Sequence, residues 1–140
     1  MNSLPDSYVD DMPTDPDLLE DLGRVAWAAA RLHYGVRDAI GRHEGAPTDE
    51  PFETTLGGAI KKLERLATSA GRTDQLDWAT NIGWPATLNR NAVIHAIVVT
   101  ADDGRQALTT QDHSAPGRFL VPELRAVVLD LIDASMKLPL

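Results

Sequence analysis

The sequence predicts an all-α fold, an up-and-down bundle of about four helices with a small β-hairpin before the last helix. Apolar residues recur every three or four positions over 18–39, 56–70 and 124–132, as they do along one face of a helix. A β-branched stretch begins at residue 97, and Asp103-Gly104 is a tight-turn signal between it and a second, alternating stretch. A chain of 140 residues is long enough for one domain with its own core.

The first helix is predicted to begin at Asp15-Pro16, since aspartate caps helix N-termini and proline suits the first helical position. Asp17 and Glu20 then complement the positive end of the helix dipole. The apolar stripe that follows runs for about six turns, and a stripe of that length needs partner helices to cover it. Its members are Leu18, Leu22, Val25, Ala29, Leu32, Val36 and Ala39.

The second helix is predicted to begin with Thr54 or Thr55 as its N-cap and to end at Gly71, which is placed for a C-terminal cap. The residues before it, 45–51, are predicted to form a loop. Gly57-Gly58 in the first turn lowers helix propensity by about 1 kcal/mol per glycine. We expect the close approach of another backbone to explain these two glycines.

A third helix is predicted to begin at Thr73. Trp84-Pro85 should break or kink it, because proline lacks an amide donor and clashes with the preceding turn. The helix then resumes through residues 86–95, and the hairpin follows directly. Residues 111–118 are expected to form a loop, and Pro122 is expected to open the last helix.

The negative charge of the chain is concentrated at its N-terminus. The net charge is −8, and seven acidic residues precede the first basic one, Arg24. The remainder carries 14 acidic and 13 basic residues, so a local basic pocket is possible there. We interpret residues 1–14 as an acidic flexible segment and residues 15–140 as a single helical domain. The acidic residues are either a solvated tail or an anion mimic that shields a phosphate site.

The composition excludes several kinds of site. The chain has no cysteine, so a disulfide framework, a thiolate zinc site and a cysteine nucleophile are all excluded. It has neither a secretory signal nor a run of the roughly 20 apolar residues that a membrane span needs. We therefore predict a cytoplasmic protein with no membrane association. No cluster of metal ligands is visible, and neither a metal nor a cofactor is expected.

The run from Arg90 to His95, Arg-Asn-Ala-Val-Ile-His, is the strongest candidate site. Arginine binds phosphate through a planar fork of donors, and histidine is the side chain whose proton moves near neutral pH. Asn91 and His95 are four residues apart and share a helix face, so the amide can contact the imidazole or the same substrate group. Arg90 and His95 are five apart, about 140° around the axis, so one helix does not direct both at one small ligand. The spacing favours a site shared between two copies.

This run resembles the active-site motif of the HEPN superfamily (higher eukaryotes and prokaryotes nucleotide-binding). In that motif an arginine, often followed by a polar residue, precedes a histidine by a few residues. Arg90, Asn91 and His95 occupy those positions. The Thr-Leu-Gly opening of the second helix at residues 55–57 and the hairpin after the motif are similar too. The resemblance spans residues from about 17 to 136, and it implies a HEPN-like helical domain over 15–140.

The resemblance implies a metal-independent endoribonuclease that acts as a homodimer on RNA, in a toxin–antitoxin or defence role with an antitoxin or regulatory protein as partner. His95 would act as general base for attack of a ribose 2′-hydroxyl on the adjacent phosphate. Arg90 would neutralise charge on the phosphorus, and Asn91 would orient His95 or the phosphate. Other members of the family bind without cleaving, so an inactive nucleotide- or protein-binding module is the alternative.

Three further residues are candidates for substrate binding. His33 and Arg37 lie one turn apart on the first helix, beside its apolar stripe, and with Tyr34 they are expected to line the same cleft. An interface histidine is the ordinary explanation for His33. Lys61 forms a small basic face on the second helix with Lys62 and Arg65, which either follows an RNA backbone or is simply solvated.

Structural explanations compete with each functional one. Arg90 and His95 near a helix C-terminus can complement the dipole and cap the last carbonyls. A purely structural dimerising protein also fits the long apolar stripe. Trp27, Trp78 and Trp84 either stack on bases or pack in the core or an interface.

Overall fold

The computed structural model describes residues 3–11, 15–46, 54–100, 106–109, 118–119 and 121–140. Helix and strand bounds within these ranges follow in chain order. They are α1 Ser7–Asp10, α2 Pro16–Glu44, α3 Leu56–Ala70, α4 Thr73–Trp78, a π-helical segment Ala79–Gly83, α5 Trp84–Ile94, β1 Ile97–Thr100, β2 Gln106–Thr109, β3 Arg118–Phe119 and α6 Val121–Lys137.

The predicted helical bundle is confirmed, and its helix ends form as their capping residues predict. Asp15 caps α2 by accepting a hydrogen bond from the amide of Asp17 at 2.9 Å. Thr55, rather than Thr54, caps α3 through its hydroxyl, which accepts from the amide of Gly58 at 3.1 Å. Gly71 ends α3 with a φ of 67°, a left-handed conformation that favours glycine.

The core lies between α2 and the two helices it packs against most extensively, α6 and α3. Most of the predicted stripe on α2 is buried, and Leu22 alone among its members is only half-buried. Leu32 of α2 is fully buried and belongs to one core cluster with side chains of α3 and α6 that are equally inaccessible to solvent. The largest of these are Ile60, Leu63, Leu124 and Leu131.

The helices do not all alternate in direction. Arg125 near the start of α6 lies 3.4 Å from Asp21 near the start of α2, and Leu138 just beyond α6 approaches Gly35 further along α2. The two helices therefore run in the same direction. The chain also brings Thr54 beside His33, in the middle of α2, so α3 begins there rather than at the end of α2.

The helical backbone continues through Trp84-Pro85, where a break or kink was expected. The disturbance lies one turn earlier, in the π-helical segment, and Pro85 occupies the first turn of α5. A π turn holds an extra residue, which accommodates the proline ring without ending the helix. The buried hydroxyl of Thr87 donates to the carbonyl of Gly83 at 2.8 Å. This continuous helix carries Arg90 to the middle of α2.

The explanation expected for Gly57-Gly58 is wrong. A Cβ at residue 57 would first meet the ring of Trp84, at 3.7 Å, and one at residue 58 would lie 2.7 Å from a methyl group of Thr54. The nearest neighbours are thus side chains, including that of the residue before the cap, and not another backbone. Glycine at residue 57 leaves space for the ring of Trp84, and glycine at residue 58 leaves space for the side chains of Thr54 and Thr55 at the N-cap.

The predicted hairpin is present as β1 and β2, which pair antiparallel from Ile97 opposite Thr109 to Thr100 opposite Gln106. Asp103-Gly104, the expected turn, lies outside the described residues. β3 adds a third strand, antiparallel to β2, at Arg118–Phe119. Arg118 was expected to end a loop, so this strand departs from the prediction.

The N-terminal segment, expected to be flexible, contains the single-turn helix α1, whose residues are all exposed. Asp21 differs from the acidic residues before it. It is buried, and its carboxylate accepts from Arg24 at 2.6 Å as well as facing Arg125. Asp21 therefore belongs to the packing of α2 against α6 rather than to a solvated tail. Among the described residues, no helix is both long and apolar enough to cross a membrane.

Candidate functional site

The motif residues lie on the last turns of α5. Arg90 and Asn91 are both half-buried, and a guanidinium nitrogen of Arg90, Nη1, donates to Oδ1 of Asn91 at 2.8 Å. α5 ends at Ile94, and His95 is its C-terminal cap residue, with an exposed side chain. The amide oxygen of Asn91 is thus engaged with Arg90 and not with His95, which was one of the two contacts that the spacing allowed.

The Arg90 guanidinium is directed toward the middle of α2. Its positive charge acts on His33, together with that of Arg37, one turn further along α2. The Nε of Arg90 is buried and has no hydrogen-bond partner among the described residues. A buried donor of this kind is costly unless it binds something, and the described residues leave this nitrogen of Arg90 unsatisfied.

His33 lies at the centre of the cluster. Burial lowers the pKa of its imidazole below the ordinary value of 6.5, and the charges of Arg90 and Arg37 lower it further. A hydrogen bond to the backbone of Thr54 acts in the opposite direction but is outweighed. His33 is therefore held toward its neutral form, in which one ring nitrogen donates and the other accepts.

A surface cavity of about 250 Å³ opens on this cluster. It is lined by Ala30, His33, Tyr34 and Arg37, all from α2. The expectation that His33 and Arg37 line one cleft is consistent with this cavity. Together with Arg90 they form what we call the cation cluster: two permanent positive charges and one imidazole at the contact of α2 with α5. Its chemistry suits an anion with several oxygen acceptors, such as a phosphodiester.

Neither His95 nor Lys61 joins the cation cluster within one chain. His95 makes no side-chain hydrogen bond or ion pair with Arg90 or Asn91 in the described part of the chain. Lys61 is exposed on α3 and is likewise not bonded to the cluster. Its neighbour Lys62 is paired with Glu44 of α2 at 2.8 Å, so part of the predicted basic face is neutralised.

The side chains of the motif do not cap the end of α5 in the described part of the chain, as the structural explanation would require. The last turn of α5 is closed by backbone hydrogen bonds, from the amide of His95 to the carbonyl of Asn91 at 3.0 Å and from Ala96 to Val93 at 3.2 Å. Within the described ranges, the side chains of Arg90 and His95 donate to no carbonyl of this helix end.

The three tryptophans have different roles. Trp78 is buried, and its indole N–H donates to the carbonyl of Ala134 at 2.9 Å, while the indole of Trp84 donates to Glu64 at 2.7 Å. Both hold helices together, as the packing explanation predicts. Trp27 is instead 60% exposed on α2.

Sequence reasoning missed the contribution of Thr54, whose backbone bonds His33, because nothing in the residue pattern indicates that α3 begins beside the middle of α2. Tyr34, which the sequence places beside the stripe with His33 and Arg37, lines the same cavity as those two residues. No group of three or more metal-ligating side chains occurs among the described residues. In comparisons with family models, curated proteins and solved structures, nothing matches this chain.

Proposed function

We propose that this protein is a metal-independent endoribonuclease of the HEPN type, acting on RNA as a cytoplasmic homodimer. The observation that carries the proposal is the position of Arg90. It is half-buried and bonded to Asn91, its charge acts on His33 as does that of Arg37, and its buried Nε has no partner in the described chain. A phosphodiester supplies the acceptor oxygens that such a guanidinium lacks.

The proton transfers are assigned to His95. In its neutral form His95 takes the proton of a ribose 2′-hydroxyl while the 2′-oxygen attacks the adjacent phosphorus. The bond from phosphorus to the 5′-oxygen breaks, leaving a 2′,3′-cyclic phosphate. His95 of the second copy donates a proton to the departing 5′-oxygen. Arg90 stabilises the additional negative charge on the phosphorus as the new bond forms.

The need for a second copy follows from helix geometry. His95 lies at the exposed end of α5, about 140° around the helix axis from Arg90. Two α5 helices related by a two-fold axis would present both residue types to one cleft. An antitoxin or regulatory protein that covers this cleft would fit a toxin–antitoxin or defence role.

The test is incubation of the purified protein with single-stranded RNA in EDTA. We expect cleavage that leaves 2′,3′-cyclic phosphate and 5′-hydroxyl ends. His95→Ala should reduce the rate by about 100-fold or more, as expected for loss of general acid–base catalysis. The matched control is His43→Gln, because His43 bonds Gln75 at 2.6 Å and a glutamine can preserve that contact. Equal cleavage by wild type and His95→Ala would contradict the proposal.

The oligomeric state is tested separately by sedimentation at micromolar concentration. The proposal predicts a particle of twice the 15.2 kDa chain mass. If the protein cleaves RNA but sediments as a monomer, the site shared between two copies is refuted and the ribonuclease activity is retained.

A catalytically inactive nucleotide-binding module is the second candidate. It is favoured by one observation: within one chain, Arg90 is bonded to Asn91 and has no bond to His95 among the described residues. This candidate predicts salt-sensitive RNA binding without product formation, and binding that Arg90→Ala abolishes but His95→Ala does not.

A further inference from the structure

A groove follows the outer surface of α2 and continues from the cation cluster. The 250 Å³ cavity beside His33 adjoins a second cavity of about 390 Å³, and the two share Ala30 and Tyr34 in their linings. The larger cavity extends to Trp27 and Arg31 on α2 and reaches Ser135 of α6. We call the two together the α2 groove.

Two aromatic side chains stand in the α2 groove with much of their surface open. Trp27 and Tyr34 are each 60% exposed. They are seven residues apart on one helix, about 10 Å along its axis, and so lie on nearly the same face. The guanidinium carbon of Arg31 lies 5.0 Å from the centre of the Trp27 ring, which helps to fix that ring on the surface. Proteins that bind single-stranded nucleic acids present exposed aromatic rings of fixed orientation, on which the bases stack.

The charges of the α2 groove complement a polyanion. Arg31 lines the larger cavity and Arg37 the smaller one, and the charge of Arg90 acts on His33 in the smaller cavity. Asp38, which also lines the larger cavity, is paired with Arg42 at 3.3 Å, so its negative charge is partly offset. A groove for an uncharged apolar partner would not need cations in both cavities.

We propose that the α2 groove binds the nucleotides of single-stranded RNA that flank the phosphate at Arg90, with one base stacked on Tyr34 and a neighbouring base on Trp27. This subsite rests on the proposed function, because it extends the same cation cluster. The two rings are too far apart to stack on opposite faces of a single base, so each ring stacks on a base of its own. Arg31 and Arg37 contact the connecting phosphates.

The experiment measures fluorescence anisotropy of a labelled 2′-O-methyl oligouridylate in EDTA with the full chain, because the methyl group prevents cleavage of the probe. Tyr34→Ala is expected to raise Kd about fivefold or more, the effect of losing one stacked base, while Tyr34→Phe binds like wild type. Leu129→Ala is the matched control, since Leu129 is 65% exposed on α6 and lines neither cavity.

Intrinsic fluorescence gives a second readout that a purely electrostatic groove would not change. Stacking on Trp27 is expected to quench tryptophan emission when the oligonucleotide binds. Trp27→Phe should remove that quenching and keep the affinity, whereas Trp27→Ala should lose affinity as well. Circular dichroism confirms that each variant is folded.

Two results would overturn the subsite. One is Tyr34→Ala binding the probe as tightly as wild type. The other is loss of binding accompanied by conversion of a wild-type dimer to a monomer, which would assign the groove to a second copy of the chain. Parallel cleavage assays on unmodified RNA separate this inference from the proposed function. Tyr34-dependent binding without cleavage supports the subsite and refutes the ribonuclease, and cleavage with Tyr34-independent binding does the reverse.

Discussion

Gly83 is the position where one added methyl group should disturb the helix that carries Arg90. It is buried at the end of the π-helical segment, and a Cβ there would lie 2.8 Å from two carbon atoms of the Trp78 ring. That ring has little freedom to move away, since Trp78 is only 3% exposed and its indole N–H donates to the carbonyl of Ala134 at 2.9 Å. Gly83→Ala must therefore displace the indole or the backbone.

The magnitude follows from two opposing effects. Overpacking of a well-filled core costs about 1–3 kcal/mol, and loss of the indole hydrogen bond adds about 1 kcal/mol. Replacing a helical glycine by alanine returns about 1 kcal/mol. We expect Gly83→Ala to lower the free energy of unfolding by about 2 kcal/mol. For a chain of this length that corresponds to a fall in Tm of about 7 °C.

The assay is thermal unfolding followed by circular dichroism, with Gly23→Ala as the matched control. Gly23 lies within α2, and a Cβ there would meet nothing within 4 Å, so only the propensity gain applies. Gly23→Ala should raise Tm by about 3 °C. If Gly83→Ala were as stable as wild type, or more stable, the packing of Trp78 against residue 83 would not be as described.

Three further predictions concern a buried polar residue and the site. Gln75→Leu should lower Tm by about 3–10 °C, because Gln75 is buried and bonds both His43 and the carbonyl of Pro139; hydrogen exchange should show the C-terminal residues opening first. Burial lowers the pKa of His33, so the folded state binds a proton at His33 less tightly than the unfolded chain does. The stability that His33 contributes above about pH 6.5 should therefore be lost as the pH falls. His33→Asn should flatten this decline in Tm between pH 7 and 5. Arg90→Met should keep or raise Tm. The same variant should bind RNA more weakly, and the salt dependence of the Kd for RNA should fall by about one counterion. Retained affinity for RNA would exclude Arg90 from the site.

The local features of the fold could be predicted because short segments of sequence determine them. Asp15 before proline, Thr55 and Gly71 are capping signals that act within one turn, and each forms as expected. The apolar stripe of α2 is buried because its period matches the helix. The strand pair β1 and β2 follows from a β-branched stretch before a turn signal and a stretch of alternating polar and apolar residues after it.

The features that depend on distant partners could not be predicted. Proline at residue 85 indicates a disturbance, but the π-helical segment lies before it, because Trp78 and Gly83 pack together there. The direction of α3 depends on where Thr54 meets α2, which no periodicity encodes. The short strand β3 has only two residues, too few to give the alternating pattern that identifies a strand.

In the candidate site, too, contacts between neighbouring residues could be predicted more readily than contacts between distant ones. Arg90 and Asn91 are adjacent in the chain, so their hydrogen bond is a local event, although the spacing rule allowed a contact between Asn91 and His95 instead. The proximity of Arg90 to His33 joins residues far apart in the sequence. Helix faces suggested that His33 and Arg37 share a cleft, and only the packing of α5 on α2 adds the second guanidinium.

Stability and binding make opposite demands at Arg90, and this opposition is the strongest physical reason to regard the cluster as a binding site. The guanidiniums of Arg90 and Arg37 repel the imidazole of His33 when it is protonated, and burial of an Nε that has no partner among the described residues is costly. A methionine would fill a similar volume without either cost. Folding alone therefore does not explain an arginine here. A phosphodiester removes both costs at once, because it supplies acceptors for the donor and negative charge for the pair.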